Sequence, residues 1–169
     1  MQLKHENLVE IKANRGIVIK PLYLDEITKI IETRLAIEGY SSTVLARNLT
    51  DNRAAELIAS LTENLQKQKD ILAKDNAYYD FMLLDLEFHQ KIIDFTENNY
   101  FTEIIKMLRT RLEIATLTSL HAEHRLFDAY DEHVTLINAI KTGDSAKAFE
   151  AFDFHMQKTL EIMRQCYDT

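Results

Sequence analysis

From Asp25 onward apolar residues recur at intervals of three and four, the spacing of one face of an α-helix, and this holds to the end of the chain. The first such helix is expected over about 25–38, with Gly39 read as the glycine that ends it. Further helices are expected over 41–49, 51–74, 77–97, 99–121, 123–142 and 144–166. Thr50 and Asp51 supply cap residues, and Thr142-Gly143-Asp144-Ser145 joins a C-terminal glycine to a new helix start. Connections this short make neighbours antiparallel, so the expected fold class is all-α, an antiparallel bundle of six or seven helices. The run Gln66-Lys67-Gln68-Lys69-Asp70 reads as the solvated end of a helix.

Before Pro21 the pattern is that of strands. Asn7 to Lys12 and Ile17 to Lys20 are β-rich runs separated by Ala13-Asn14-Arg15-Gly16, which predicts a small hairpin. A lone hairpin is not stable in water, so it must pack on the helical body, another chain or a domain absent here. The chain therefore divides into 1–21 and a helical domain over 22–169.

Composition narrows this further. Three glycines and one proline are too few for the turns of a sandwich or barrel. A formal charge of −7 repels nucleic acid and anionic membrane. The longest apolar run, Phe81 to Leu84, is far short of the roughly 20 residues of a membrane span. Met1 to Glu6 lacks the apolar core of a secretory signal, and the lone cysteine, Cys166, suits a reducing compartment, so the expected location is the cytoplasm.

The chemistry lies where polar residues interrupt the apolar stripes. One stripe runs Tyr78, Met82, Asp85, His89, Ile92, Thr96; a second Leu126, Tyr130, His133, Ile137, Ile140; a third Ala148, Phe152, His155, Thr159, Ile162. A buried carboxylate and imidazoles need partners in the same interior. A divalent metal would satisfy all four, since carboxylate oxygen and neutral imidazole suit zinc, nickel, manganese or iron; hydrogen-bonded core histidines are the other reading. His5, His121 and His124 read as surface residues, with His124 the one spare ligand. Arg34 interrupts the stripe of the first helix, either paired with Asp85 or Glu38 or free to clamp a carboxylate bidentately. Arg109, Arg111 and Asn138 are further polar candidates near inner faces.

The segments Glu32-Thr33-Arg34-Leu35-Ala36-Ile37-Glu38, Asp85-Leu86-Glu87-Phe88-His89, Asn98 with Phe101, Glu132-His133, Ala139-Ile140-Lys141-Thr142-Gly143-Asp144 and His155 together resemble the ligand-binding (FCD) domain of FadR-type GntR transcription regulators, over about residues 22–165. The resemblance implies a homodimer of helical bundles with one divalent metal held by Asp85, His89, His133 and His155, zinc first among the metals named. It also implies a small organic acid beside the metal, contacted by Arg34; Asn138 and Arg111 are further expected effector contacts. Gly39 and Asn99 depart from the family, which often has proline at both places. Residues 8–21 are similar to the wing and linker that close the family's winged helix-turn-helix, and the recognition helix is missing. The chain is thus expected to be a fragment or a truncated product that binds DNA poorly by itself.

The expected function is a metal-binding, effector-sensing regulatory domain, not an enzyme. A helical-bundle metalloenzyme, a hydrolase or isomerase acting on a small carboxylate, is the alternative, but Glu87 and Glu132 are expected to point away from the ligands and leave it without a general base. A third reading is a metal-free interaction module in which Asp85 pairs with Arg34.

Overall fold

The computed structural model describes residues 9–12, 16–19 and 22–167. His5 and most of the expected wing and linker over 1–21 lie outside the described residues. Within that stretch, strand β1 (Val9–Lys12) pairs antiparallel with β2 (Gly16–Ile19), Val9 facing Ile19 and Lys12 facing Gly16.

The body is all-helical: α1 (Leu24–Arg34), a π-helical segment (Leu35–Gly39), α2 (Tyr40–Arg47), α3 (Asn52–Ile71), α4 (Tyr78–Asp94), α5 (Asn99–Leu120), α6 (Arg125–Lys141) and α7 (Ser145–Tyr167). None of these helices is long and apolar enough to cross a membrane. The segments α1, π and α2 form one unbroken rod, which corrects the expectation that the first helix stops at Gly39. Gly39 has right-handed helical angles, φ −59° and ψ −46°. A Cβ there would lie 2.9 Å from Cε2 of Phe149 on α7, so the glycine serves a close helix–helix approach rather than a helix end.

The remaining boundaries follow local chemistry. Asp51 caps α3 by accepting from the Arg53 amide at 2.8 Å, and Asn98 caps α5 by accepting from the Tyr100 amide at 3.1 Å. Gly143 ends α6 with a left-handed φ of 75°, and Asp144 accepts from the amides of Ala146 and Lys147 at the start of α7. Where the chain lacks glycine, Asn76, Glu97 and His124 take the left-handed turn themselves.

Helix α7 packs against α6, α2 and α1, while α4 lies between α3 and α5, and α3 reaches α6. A helix that packs along its predecessor after so short a turn must run antiparallel to it. The interior between these rods is filled by Ile27, Leu45, Leu61, Phe81, Phe88, Ile92, Leu136, Ile137 and Phe152, each less than 2% exposed or at that limit. That packing fixes the inward faces of α4, α6 and α7 against one another, which sets the geometry of the polar cluster at their middle.

The two glycines should respond oppositely to alanine. Gly143→Ala forces a side chain into the left-handed region and is expected to cost roughly 1–2 kcal/mol. At Gly39 the helical angles suit alanine, and the gain of about 1 kcal/mol in helix propensity is offset by displacing the half-exposed Phe149 ring, giving a change within about 1 kcal/mol. Urea unfolding of both variants checks the pair.

Candidate metal centre

Four side chains from three helices converge at the centre of the bundle. Asp85 and His89, four residues apart on α4, meet His133 of α6 and His155 of α7, all four buried, and one ligand atom from each lies within 4.8 Å of the others. The imidazole centroids are 5.1 Å apart for His89 and His133, 5.2 Å for His89 and His155, and 4.8 Å for His133 and His155. Phe88 stacks on His133 at 4.5 Å and Phe152 meets His89 edge-on at 5.8 Å, so apolar rings wall the cluster.

Two of the three imidazoles, His133 and His155, are held from behind by a hydrogen bond at Nδ1, and the third, His89, has a carboxylate close behind it. His133 Nδ1 lies 2.9 Å from Gln68 Oε1, His155 Nδ1 lies 2.6 Å from Glu132 Oε2, and His89 Nδ1 lies 2.9 Å from Glu38 Oε2, the last off the line of a good hydrogen bond. At His133 and His155 the acceptor at Nδ1 puts the proton there and turns the Nε2 lone pair forward. In front, Asp85 Oδ1 is 3.4 Å from His133 Nε2 and 3.8 Å from His89 Nε2. Neither of those Nε2 atoms has a hydrogen-bond partner, although both are buried. An orphaned buried ring nitrogen is costly, and two of them facing an ionised carboxylate are the feature a cation would complete. Carboxylate oxygen and imidazole bind first-row divalent ions at about 2.0–2.2 Å, so donors that lie within 4.8 Å of one another would each have to move inward by about 1 Å at most. The donor set fits a divalent metal.

The electrostatics favour the same occupant. Burial opposes ionisation of Asp85, but His89, His133 and Arg34 outweigh it and hold its carboxyl well below the usual range. For Glu38, burial is likewise outweighed, by Arg34 and His89, and its pKa falls to about 2. Burial pushes His133 down and, with His133, His89 and Arg125 beside it, pushes His155 well down, so both are kept neutral. Since Arg34 pairs with Glu38 and Arg125 with Glu132, the uncompensated charge at the centre is that of Asp85.

The other expected site residues fare differently. Arg34 is buried, and its guanidinium grips Glu38 bidentately, Nε to Oε1 at 2.7 Å and Nη2 to Oε2 at 3.1 Å, beside the cluster. Of the two internal acids considered for it, Glu38 is the one it grips. Arg111 is buried on α5, its Nε 3.2 Å from Glu26 Oε1 of α1. Asn138 is exposed, which corrects its placement near an inner face: the buried stripe of α6 passes through Leu136, Ile137 and Ile140 and leaves it outside. Arg109 is exposed and pairs with Glu113, and His121 and His124 are exposed as expected.

Two further corrections concern the residues behind the cluster. Glu132 was expected to point away, yet it is buried and reaches across to His155; on a helix it lies about 100° from His133, which aims it at α7. Gln68 sits in the run read as solvated, but it is fully buried, donating Nε2–H to Asn64 Oδ1 at 2.8 Å, while Asn64 donates to the Leu84 carbonyl at 3.2 Å. Leu61, Asn64, Leu65, Gln68 and Ile71 form one helical stripe, in which Asn64 and Gln68 interrupt an apolar face as Asp85 does on α4.

The FCD domain family profile matches residues 29–158. The chain is 20% identical over 161 residues to the uncharacterized HTH-type transcriptional regulator BphR of Paraburkholderia xenovorans (strain LB400), covering 94% of this chain and 65% of that relative. Among solved structures it is similar to E. coli McbR/YncC, with a TM-score of 0.79 at 19% identity over 98% of this chain and 77% of that one. A GntR family member of Pseudomonas syringae pv. tomato str. DC3000 gives a TM-score of 0.64 at 16% identity over 99% of this chain and 69% of that one. The chain thus spans about two thirds to three quarters of these proteins.

Acid should destabilise the metal-free protein in two stages. Below the ordinary histidine value of 6.5 the unfolded chain binds protons that folded His133 and His155 refuse, so stability starts to fall there. Between 4.5 and about 2 the same holds for Glu38, a loss of about 3 kcal/mol. Urea midpoints from pH 8 to pH 3 check this, and a flat profile contradicts it. Glu38→Gln, which leaves Arg34 buried without its acid, is expected to cost about 3–5 kcal/mol at pH 7.

Proposed function

The chain belongs to the FCD domain family, and on that footing we propose that it is the effector-sensing, metal-binding regulatory domain of a GntR-type transcription regulator. The observation that carries this reading is the buried convergence of three imidazoles on one carboxylate, with the Nε2 atoms of His89 and His133 facing Asp85 and lacking hydrogen-bond partners. Asp85, His89, His133 and His155 would hold one divalent ion, with zinc the first expectation and nickel, manganese or iron compatible with the same donors. Such an ion supplies a Lewis-acid centre that a small carboxylate can join.

Arg34 stands beside the cluster and is the cation an organic acid would meet there. Its bidentate partner is Glu38, so an effector carboxylate at Arg34 competes with an internal carboxylate of the same geometry. Glu38 belongs to the π segment that joins α1 to α2, and the rod begins just after the hairpin. Exchange at Arg34 therefore acts on the rod itself. In a longer regulator whose wing ends in β1 and β2, a shift of α1 would reorient the DNA-binding heads of a homodimer. The effector moves that equilibrium only by its preference for one packing over the other.

A general base for an enzymatic reading is not favoured by the geometry, because Glu38 and Glu132 are each held by an arginine and an imidazole, while Glu87 is exposed and paired with Lys91.

Elemental analysis tests the proposal. Untagged protein purified without added metal is expected to carry about one equivalent of a first-row divalent ion per chain, and His133→Ala is expected to lose it. Metal-free protein given zinc at 1,000 times its Kd should gain about 4 kcal/mol, a rise in Tm of roughly 8–16 °C. Wild-type protein that neither carries nor takes up metal overturns the reading.

A further inference from the structure

Among the fully buried side chains the bulkiest is a charged one. Arg125 is 2% exposed, opens α6, and follows His124, whose left-handed φ of 60° turns the chain inward. Its Nη1 donates to Glu132 Oε1 at 2.7 Å and its Nη2 to Glu132 Oε2 at 2.9 Å, and Nη2 also donates to Thr159 Oγ1 at 3.0 Å. Both acceptors lead on to the same residue. Glu132 Oε2 accepts from His155 Nδ1 at 2.6 Å, and Thr159 Oγ1 donates to the His155 carbonyl oxygen at 3.0 Å. One guanidinium is thus tied to the ring and to the backbone of a single histidine.

Stability alone does not account for this. A buried ion pair is often no better than apolar side chains of the same volume, because desolvation offsets the attraction. What a bidentate fork supplies that an apolar pair does not is direction, since both carboxylate oxygens are fixed in the plane of the guanidinium. With both Glu132 oxygens committed to Arg125, the bond to His155 Nδ1 has one available orientation. The other histidines are backed differently: His133 by the neutral chain Gln68–Asn64, and His89 by Glu38, itself held by Arg34.

We propose that Arg125 is a positioning residue of the metal centre, locking Glu132 so that His155 carries its proton on Nδ1 and presents Nε2 to the metal. This rests on the metal reading above, and predicts a role for a residue that touches neither metal nor effector.

The test uses the full chain, with cobalt(II) as the metal probe and a tautomer measurement on the metal-free protein. In long-range ¹H–¹⁵N spectra, wild-type His155 is expected as the Nδ1–H tautomer alone. Arg125→Met should mix the tautomers and weaken cobalt binding, read from its visible absorption, by about 10- to 100-fold. Glu132→Gln should do the same, and the double variant should be no weaker than the worse single one, because both act through one bond. Arg125→Lys, which keeps the charge and loses the fork, should fall between. If Arg125→Met does not fold, Arg125→Lys and Thr159→Val carry the comparison, each expected to loosen cobalt binding. Folded variants that bind cobalt as tightly as wild type, with only the urea midpoint lowered, overturn this proposal alone. Wild-type protein that takes up no cobalt overturns the metal reading and this proposal with it.

Discussion

A helical interior of this size tolerates ionised groups only where each finds its opposite, and the core of this bundle is arranged around that constraint. Arg34, Glu38, Asp85, Arg125 and Glu132 are all buried, together with three imidazoles. The two arginines and two glutamates cancel in pairs. Asp85 has no such partner: it faces ring nitrogens that are themselves short of hydrogen bonds. The phenylalanines beside the imidazoles add apolar surface, and Asp85 itself is buried, so desolvation raises the cost of its charge. The packing that stabilises the fold therefore also concentrates the field of one carboxylate at the point where four donors meet.

The groups behind the ligands divide the labour of that arrangement among separate elements. Glu38 comes from the π segment, Gln68 from α3 and Glu132 from α6, so the group behind each imidazole stands on a helix other than its own. Loosening any one interface between these rods misaims one imidazole. The geometry of the cluster accordingly depends on how the helices sit on one another.

Much of this was legible in the sequence, because a polar residue on an apolar stripe is visible without any structure. Asp85, His89, His133 and His155 emerged that way, and so did Arg34. The residues that were missed fail for identifiable reasons. Glu132 is adjacent to a ligand, and helical periodicity turns neighbours apart; only the position of α7 shows that the turn aims it at another ligand. Gln68 is masked by charged neighbours that are exposed, and Arg125 stands at a helix start where an arginine ordinarily looks outward. Gly39 reads as a stop because glycine usually ends helices, whereas its role depends on the Phe149 ring of a rod more than 100 residues later. Long-range contacts of this kind leave no local mark.

The π segment has a geometric consequence for the whole first rod. A π turn accommodates a residue beyond the α-helical count, and each residue corresponds to about 100° of rotation about the axis. The faces of α1 and α2 are thus set in phase by residues 35–39 as a vernier sets two scales, with Ile27, Ile30, Ile31 and Arg34 inward on one side and Ser41, Ser42, Leu45 and Ala46 inward on the other. Were the segment to tighten to an ordinary α-helix, α1 could keep its place only by turning about its own axis.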